Sequence, residues 1–274
     1  MLPSGIILVS DISRGLFVLK ECEGIDCGPS PPCCPLIDPP QIPASASHAD
    51  QPKARSLSIV PNNPGMQTAL QVTLTGSTTF PNDVGKKWWV APPVEACENS
   101  TQGPSTPLSD CGPAPGLPKK TMWSSSLTCT QTCLDWSALI DGNGNALDVL
   151  HISDADISSG SFYEIRAVNC SCFKSVPNDS FSEPLVYQTS QWGDLSGGLP
   201  ADCPRTVPDN SVDLILDCVA ILNKFANDSC AMLKSRADIE PHIPDQRINI
   251  TDVLQCVNAF SGLPYPFPAP VGCP

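Results

Sequence analysis

The sequence predicts a multidomain, mainly β protein: an antiparallel β-sandwich followed by a small α-helical domain made of two repeats. Three observations carry that expectation. Between residues 56 and 189, short apolar runs are separated by polar turns, and Leu70, Val72 and Leu74 alternate with Gln71 and Thr73, the two-residue period of a strand buried on one face. Beyond Trp192 the period lengthens to that of a helix, with Val219, Leu222 and Phe225 on one stripe and Val253, Val257 and Phe260 on another. Both stripes belong to a duplication, in which Pro208, Asp209, Val212, Asp213, Asp217, Leu222, Asn223 and Phe225 recur as Pro244, Asp245, Ile248, Asn249, Asp252, Val257, Asn258 and Phe260. The offset is 36 residues up to Asp213/Asn249 and 35 from Asp217/Asp252 onward, so the first copy holds one additional residue within Leu214-Ile215-Leu216.

In chain order, residues 1–21 read as a hairpin, with strands at 6–9 and 16–19 about a turn at 11–15. Residues 22–55 hold Cys22, Cys27, Cys33 and Cys34 among proline pairs and small polar residues. That composition buries too little apolar surface to order itself, so a semi-extended linker pinned by disulfides is expected. Residues 56–191 form the sandwich, with strands at 56–60, 70–74, 87–91, 121–125, 147–152, 162–168 and 185–189 and no helix between them. Residues 192–274 form the helical repeat pair, in which Leu222 and Phe225 are expected to pack against Val257 and Phe260.

The net charge of −13, with no basic cluster larger than Lys86-Lys87 or Lys119-Lys120, gives no footing on nucleic acid or an anionic membrane surface. No apolar run is long enough to span a bilayer. Fifteen cysteines point to an oxidising compartment, extracellular or at the cell surface. They fall into three groups, four before Arg55, six from Cys97 to Cys172 and five from Cys203 to Cys273, and pairing mostly within each group is expected. Cys129, Cys133, Cys170 and Cys172 are read as disulfides in preference to a zinc site, and Cys218 and Cys256 are placed to bridge the two helices. Sequons at Asn99, Asn169, Asn178, Asn227 and Asn249 would suit exported surface loops. Asp141-Gly-Asn143-Gly-Asn145 reads as turn chemistry.

Three stretches resemble known families. Leu2 through Asp11 with Gly15-Leu16-Phe17-Val18 resembles the closing strands of a β-propeller of the LVIVD-repeat kind, which implies that Met1 lies inside a longer exported protein. Phe162 through Val168, followed by Ser182-Glu183-Pro184-Leu185-Val186, resembles the last two strands of a fibronectin type III-like module. The duplicated segment resembles the divergent dockerin-like tails of secreted bacterial multidomain proteins; Trp192-Gly193-Asp194 leads into it, and Arg236-Ala237-Asp238-Ile239-Glu240-Pro241 lies between its copies.

The dockerin-like resemblance implies EF-hand-like calcium loops, with Asp209, Asp213 and Asp217 as ligands in the first and Asp245, Asn249 and Asp252 in the second. Arg205, Val207, Pro241 and Ile243 stand where that family places its early ligands, and the remaining oxygens fall short of the six to eight that calcium takes. Two readings stay open: weak calcium binding, with Kd on the order of 10⁻⁴ to 10⁻³ M, or metal-free loops in which Asp217 and Asp252 cap their helices. Gly193-Asp-Leu-Ser196-Gly-Gly is similar to a serine-protease signature, but its inserted leucine misplaces the hydroxyl, and no enzymatic activity is expected.

The resemblances imply a non-catalytic region that attaches to another extracellular protein. Two alternatives are an accessory, polysaccharide-binding part of a hydrolase and an extracellular filament subunit. The first needs exposed Trp88, Trp89, Trp123 or Trp136 as sugar platforms.

Overall fold

The computed structural model describes residues 6–11, 15–20, 35–43, 53–97, 120–140, 149–172, 180–197, 207–226, 228 and 231–273. Residues 1–35 and 36–274 form two compact units. The first holds an antiparallel hairpin, β1 (Ile6–Asp11) and β2 (Gly15–Lys20), in which Ile6 faces Lys20 and Asp11 faces Gly15.

The second unit contains two stacked sheets. One has five strands in the order β11 (Leu185–Gln188), β10 (Ser161–Asn169), β4 (Thr68–Ser77), β5 (Lys87–Val90) and β8 (Leu127–Thr128). The other has four: β3 (Leu57–Ile59), β9 (Leu150–Ile152), β7 (Lys120–Ser124) and β6 (Val94–Cys97). Alternation decides which side of each strand faces inward. Leu70, Val72 and Leu74 of β4 and Tyr163, Ile165 and Ala167 of β10 meet Leu57, Ile59, Leu150 and Ile152 from the opposite sheet in one core. Full burial of each such large aliphatic side chain is worth about 1.5–3 kcal/mol, so this interleaving is the main source of the sandwich's stability.

All seven predicted sandwich strands are present, and two more join them. β6 follows Pro92-Pro93, and β8 is only two residues long, too short to show a period. A one-turn helix, α1 (Trp136–Ile140), also lies between strands, where none was expected. Its Trp136 is buried and donates its indole N–H to the Thr68 carbonyl at 2.7 Å. The sandwich is not purely antiparallel: β7 and β9 run parallel, Met122 beside Leu150. The chain leaves β7, contributes β8 to the other sheet and re-enters beside β7 in the same direction, a crossover no hairpin could make.

Part of the segment read as linker belongs to this unit. Ile37 joins the sandwich core, Gln41 and Val60 exchange backbone hydrogen bonds, and Lys53, Ala54 and Arg55 are buried. The end of the tail, from Val271 to Cys273, lies against β5. The Trp88 indole donates to the Val271 carbonyl at 2.9 Å, Cys273 N–H donates to the Lys87 carbonyl at 3.2 Å, and Cys129 is bonded to Cys273.

That last disulfide joins two of the three cysteine groups, an exception to the pairing expected mostly within each group. Cys133–Cys170 stays within its group, and Cys218–Cys256 is the anticipated bridge between helices. All eight cysteines among the described residues are oxidised. Of the sequons, Asn169 is buried and accepts from both the amide and hydroxyl of Ser171, so it is not a surface acceptor; Asn249 caps a helix, and Asn99, Asn178 and Asn227 lie outside the described residues, as does the turn at 141–145.

The helical segment comprises a π-helical turn (Leu214–Cys218) running into α2 (Val219–Phe225), the short α3 (Lys234–Ala237), and α4 (Ile250–Phe260). The π turn accounts for the additional residue of the first copy. Cys218 N–H reaches back five residues to the Asp213 carbonyl, and one extra residue per turn is what such a bulge inserts into an α-helix. From Asp217 onward the two copies are therefore back in step.

Candidate functional site: the duplicated loops and helices

Each copy is closed by two buried carboxylates that accept backbone N–H bonds. In the first, Asp217 Oδ1 accepts from Leu195 at 2.6 Å and Ser196 at 2.7 Å, and Oδ2 from Asp213 at 2.6 Å. In the second, Asp252 Oδ1 accepts from Ile239 and Glu240, each at 3.0 Å, and Oδ2 from Asn249 at 2.9 Å. The partner carboxylates are Asp194, which accepts from Asp209 at 3.2 Å and Asn210 at 2.9 Å, and Asp238, which accepts from Gln246 at 2.7 Å. Asn210 and Gln246 occupy the same turn position in their copies, with φ of 68° and 60°. Asp209 and Asp245 accept from the amides two residues on, Ser211 and Arg247. Asn249 is the N-cap of α4 and forms a capping box with Asp252.

Thus of the six residues read as calcium ligands, Asp217 and Asp252 staple loop to helix, Asp209 and Asp245 close local turns, and Asn249 caps a helix. Asp213 supplies the backbone groups that start the π turn. Among the described residues no group of three or more His, Cys, Asp or Glu side chains is arranged to hold a metal ion. The Asp217 and Asp252 oxygens are already occupied by backbone N–H donors, and the described residues bring no six oxygens together, so these do not fit calcium as the resemblance implies it.

Sequence reasoning missed Asp194 and Asp238 as members of the repeat. Their signal is a small residue, an acid and a buried aliphatic, Gly193-Asp194-Leu195 and Ala237-Asp238-Ile239. Gly193 is required where it stands. Its φ is +87°, and a Cβ there would come within 2.4 Å of the Ala259 Cβ and 3.1 Å of Val212 Cγ1. Gly193→Ala is therefore expected to cost about 2–4 kcal/mol, from left-handed strain plus overpacking, read as a lowered denaturant midpoint with unchanged slope. An unchanged midpoint would mean that α4 can move away freely.

Burial pushes the Asp194 and Asp252 carboxyls up to about 7. It raises Asp217 as well, and it holds Asp238 well above its usual range, with the nearby Asp252 charge acting in the same direction. Asp238 Oδ1 and the Gln246 Oε1 are buried with no hydrogen-bond donor. A proton on Asp238 would turn an unsatisfied acceptor into a donor, which is consistent with its raised pKa.

The buried side of α2 is not the expected one. Cys218, Ile221 and Lys224 face inward, as do Asp252 and Cys256 of α4, with Val253 and Val257 partly buried beside them. Val219, Leu222, Phe225 and Phe260 are instead exposed, between 39% and 48%. The Cys218–Cys256 bridge and the two carboxylate staples fix the rotation of the helices, and a residue one place along is turned by about 100°. Core truncation costs therefore belong to Ile221 and not to Phe225.

The exposed apolar positions are duplicated. With the offset of 35, Ile215, Val219, Leu222 and Phe225 correspond to Ile250, Leu254, Val257 and Phe260, and all but the half-buried Val257 are exposed. No protein-family model, curated protein or solved structure matches the chain. None of the helices among the described residues is long and apolar enough to cross a membrane.

Proposed function

We propose that this chain is a non-catalytic region of an exported or cell-surface protein, and that its dockerin-like helical pair attaches to another extracellular protein. The observation that carries the reading is the duplicated stripe of solvent-facing Ile, Val, Leu and Phe on two helices whose rotation is fixed by a disulfide and buried staples. A rigid element presenting the same apolar positions twice is suited to a binding surface, since exposed clustered aliphatics are otherwise an aggregation hazard. The oxidised cysteines favour an oxidising compartment. In this reading calcium is at most a weak ligand of the loops. The sandwich and the N-terminal hairpin, with their resemblances to fibronectin type III-like and LVIVD-type modules, act as spacer and connection.

The polysaccharide reading is less well supported, because Trp88, Trp123 and Trp136 are core residues exposed by no more than 2%, leaving Trp89 as the half-exposed candidate. Photo-crosslinking tests the attachment reading. A photoreactive residue at Leu222 or Leu254 is expected to give a protein adduct in the native host. The same residue at the equally exposed Val186 of the sandwich should not, and excess unlabelled chain should compete. Adducts of equal yield from all three positions would remove the helical pair from the role.

A further inference from the structure

The charge around the duplicated stripe indicates what covers it. Among the described residues from 207 to 273, Arg247 is the one exposed Lys or Arg, because Lys224, Lys234 and Arg236 are buried. Acids dominate the same surface: Asp209 and Asp228 are exposed, and Asp213, Glu240 and Asp245 are half-exposed. Asp213 stands directly before Leu214 and Asp228 three residues beyond Phe225, so the first stripe is bracketed by acids at both ends. An apolar face with an acidic surround, on a chain of net charge −13, repels a second copy of itself and attracts the opposite charge.

We infer that the occupant of these stripes is an apolar patch on a different protein, ringed by Lys and Arg. This rests on the attachment reading and adds the chemistry of the partner. The apolar contact supplies affinity, while the charged rims supply orientation and rate of encounter, so binding must weaken with salt without vanishing.

Three synthetic amphipathic helical peptides with one leucine face, and with flanks of Lys, Gln or Glu, are titrated into the full chain by fluorescence anisotropy at 50 and 300 mM salt. The Lys peptide is expected to bind at least tenfold tighter than the Gln peptide at low salt and to lose about threefold or more at high salt, and the Glu peptide should bind least. Val219→Asp with Leu254→Asp supplies the second arm. It adds negative charge, so attraction by charge alone would strengthen Lys-peptide binding, whereas loss of the apolar stripe should weaken it by tenfold or more. Ile215→Asp with Ile250→Asp repeats the test at 64% and 54% exposure, where folding is least at risk.

Equal binding of the Lys and Gln peptides, both abolished by the Asp pairs, would overturn the basic partner and leave the attachment reading standing. Binding that survives both Asp pairs would overturn the attachment reading itself. Concentration-dependent dimerisation of the wild-type chain, abolished by the same pairs, would assign the face to a second copy and overturn the proposal.

Discussion

Replacing the buried Arg55 with alanine is expected to cost about 3–5 kcal/mol of stability. Arg55 is 1% exposed and ties the start of the sandwich to the second repeat loop. Its Nη1 donates to the carbonyls of Ile239 at 3.1 Å and Pro241 at 2.8 Å, and its Nη2 to that of His242. The guanidinium also lies 4.1 Å from the centre of the Phe267 ring, which itself stacks on His242. Alanine leaves three carbonyls without a donor and removes a cation from an aromatic face, and both losses fall on the loop that Asp252 staples. Lysine restores the charge but cannot supply a planar fork, so Arg55→Lys should recover less than half of the loss. The denaturant midpoint reads the total. Hydrogen exchange reads its location, with faster exchange expected for amides 239 to 252 than for β10. An Arg55→Met variant as stable as wild type would mean that the site needs only volume.

That clamp was invisible in the sequence, for a reason that applies elsewhere in the molecule. Arg55 is one basic residue in a proline-rich stretch, and its partners lie more than 180 residues away. Features set by local periodicity were legible: the alternation of β4, the strand pair β10 and β11, and the duplication itself. So was the additional residue between Asp213 and Asp217, which the fold renders as a π turn. Features set by long-range choices were not. The parallel pairing of β7 with β9 depends on β8 crossing to the other sheet. The helical period alone predicts Val219, Leu222 and Phe225 as the inward side of α2, and the staples and the Cys218–Cys256 bridge turn Ile221 inward instead. Asp194 and Asp238 escaped because they lie 15 residues before Asp209 and 7 before Asp245, so no single offset aligns them.

The buried acids of the duplicated loops give the second large effect, a loss of stability on raising the pH. Asp194 and Asp252, with carboxyls near 7 in the fold, bind protons more tightly there than in the unfolded chain, where an aspartate titrates near 3.9. A raised folded value means that the folded state holds the proton through the window between about 4 and 7. The associated stability is full below that window and is lost as the pH rises through 7. In chelator, Tm is therefore expected to fall by on the order of 5 °C between pH 5 and pH 8. Part of any such fall comes from repulsion across a chain of charge −13, so the diagnostic is the slope. Asp194→Asn and Asp252→Asn each replace one carboxylate oxygen that accepts from backbone N–H with an NH2 donor and so lower Tm at every pH, but each should flatten the fall, because an amide does not ionise in this range. Any calcium bound at these loops would compete for the same charge. With a Kd on the order of 10⁻⁴ to 10⁻³ M, 1 mM calcium at pH 8 should restore only about 1 kcal/mol. A calorimetric site in the micromolar range, or a Tm that rises from pH 5 to pH 8 in chelator, would show that cations and not protons close these loops.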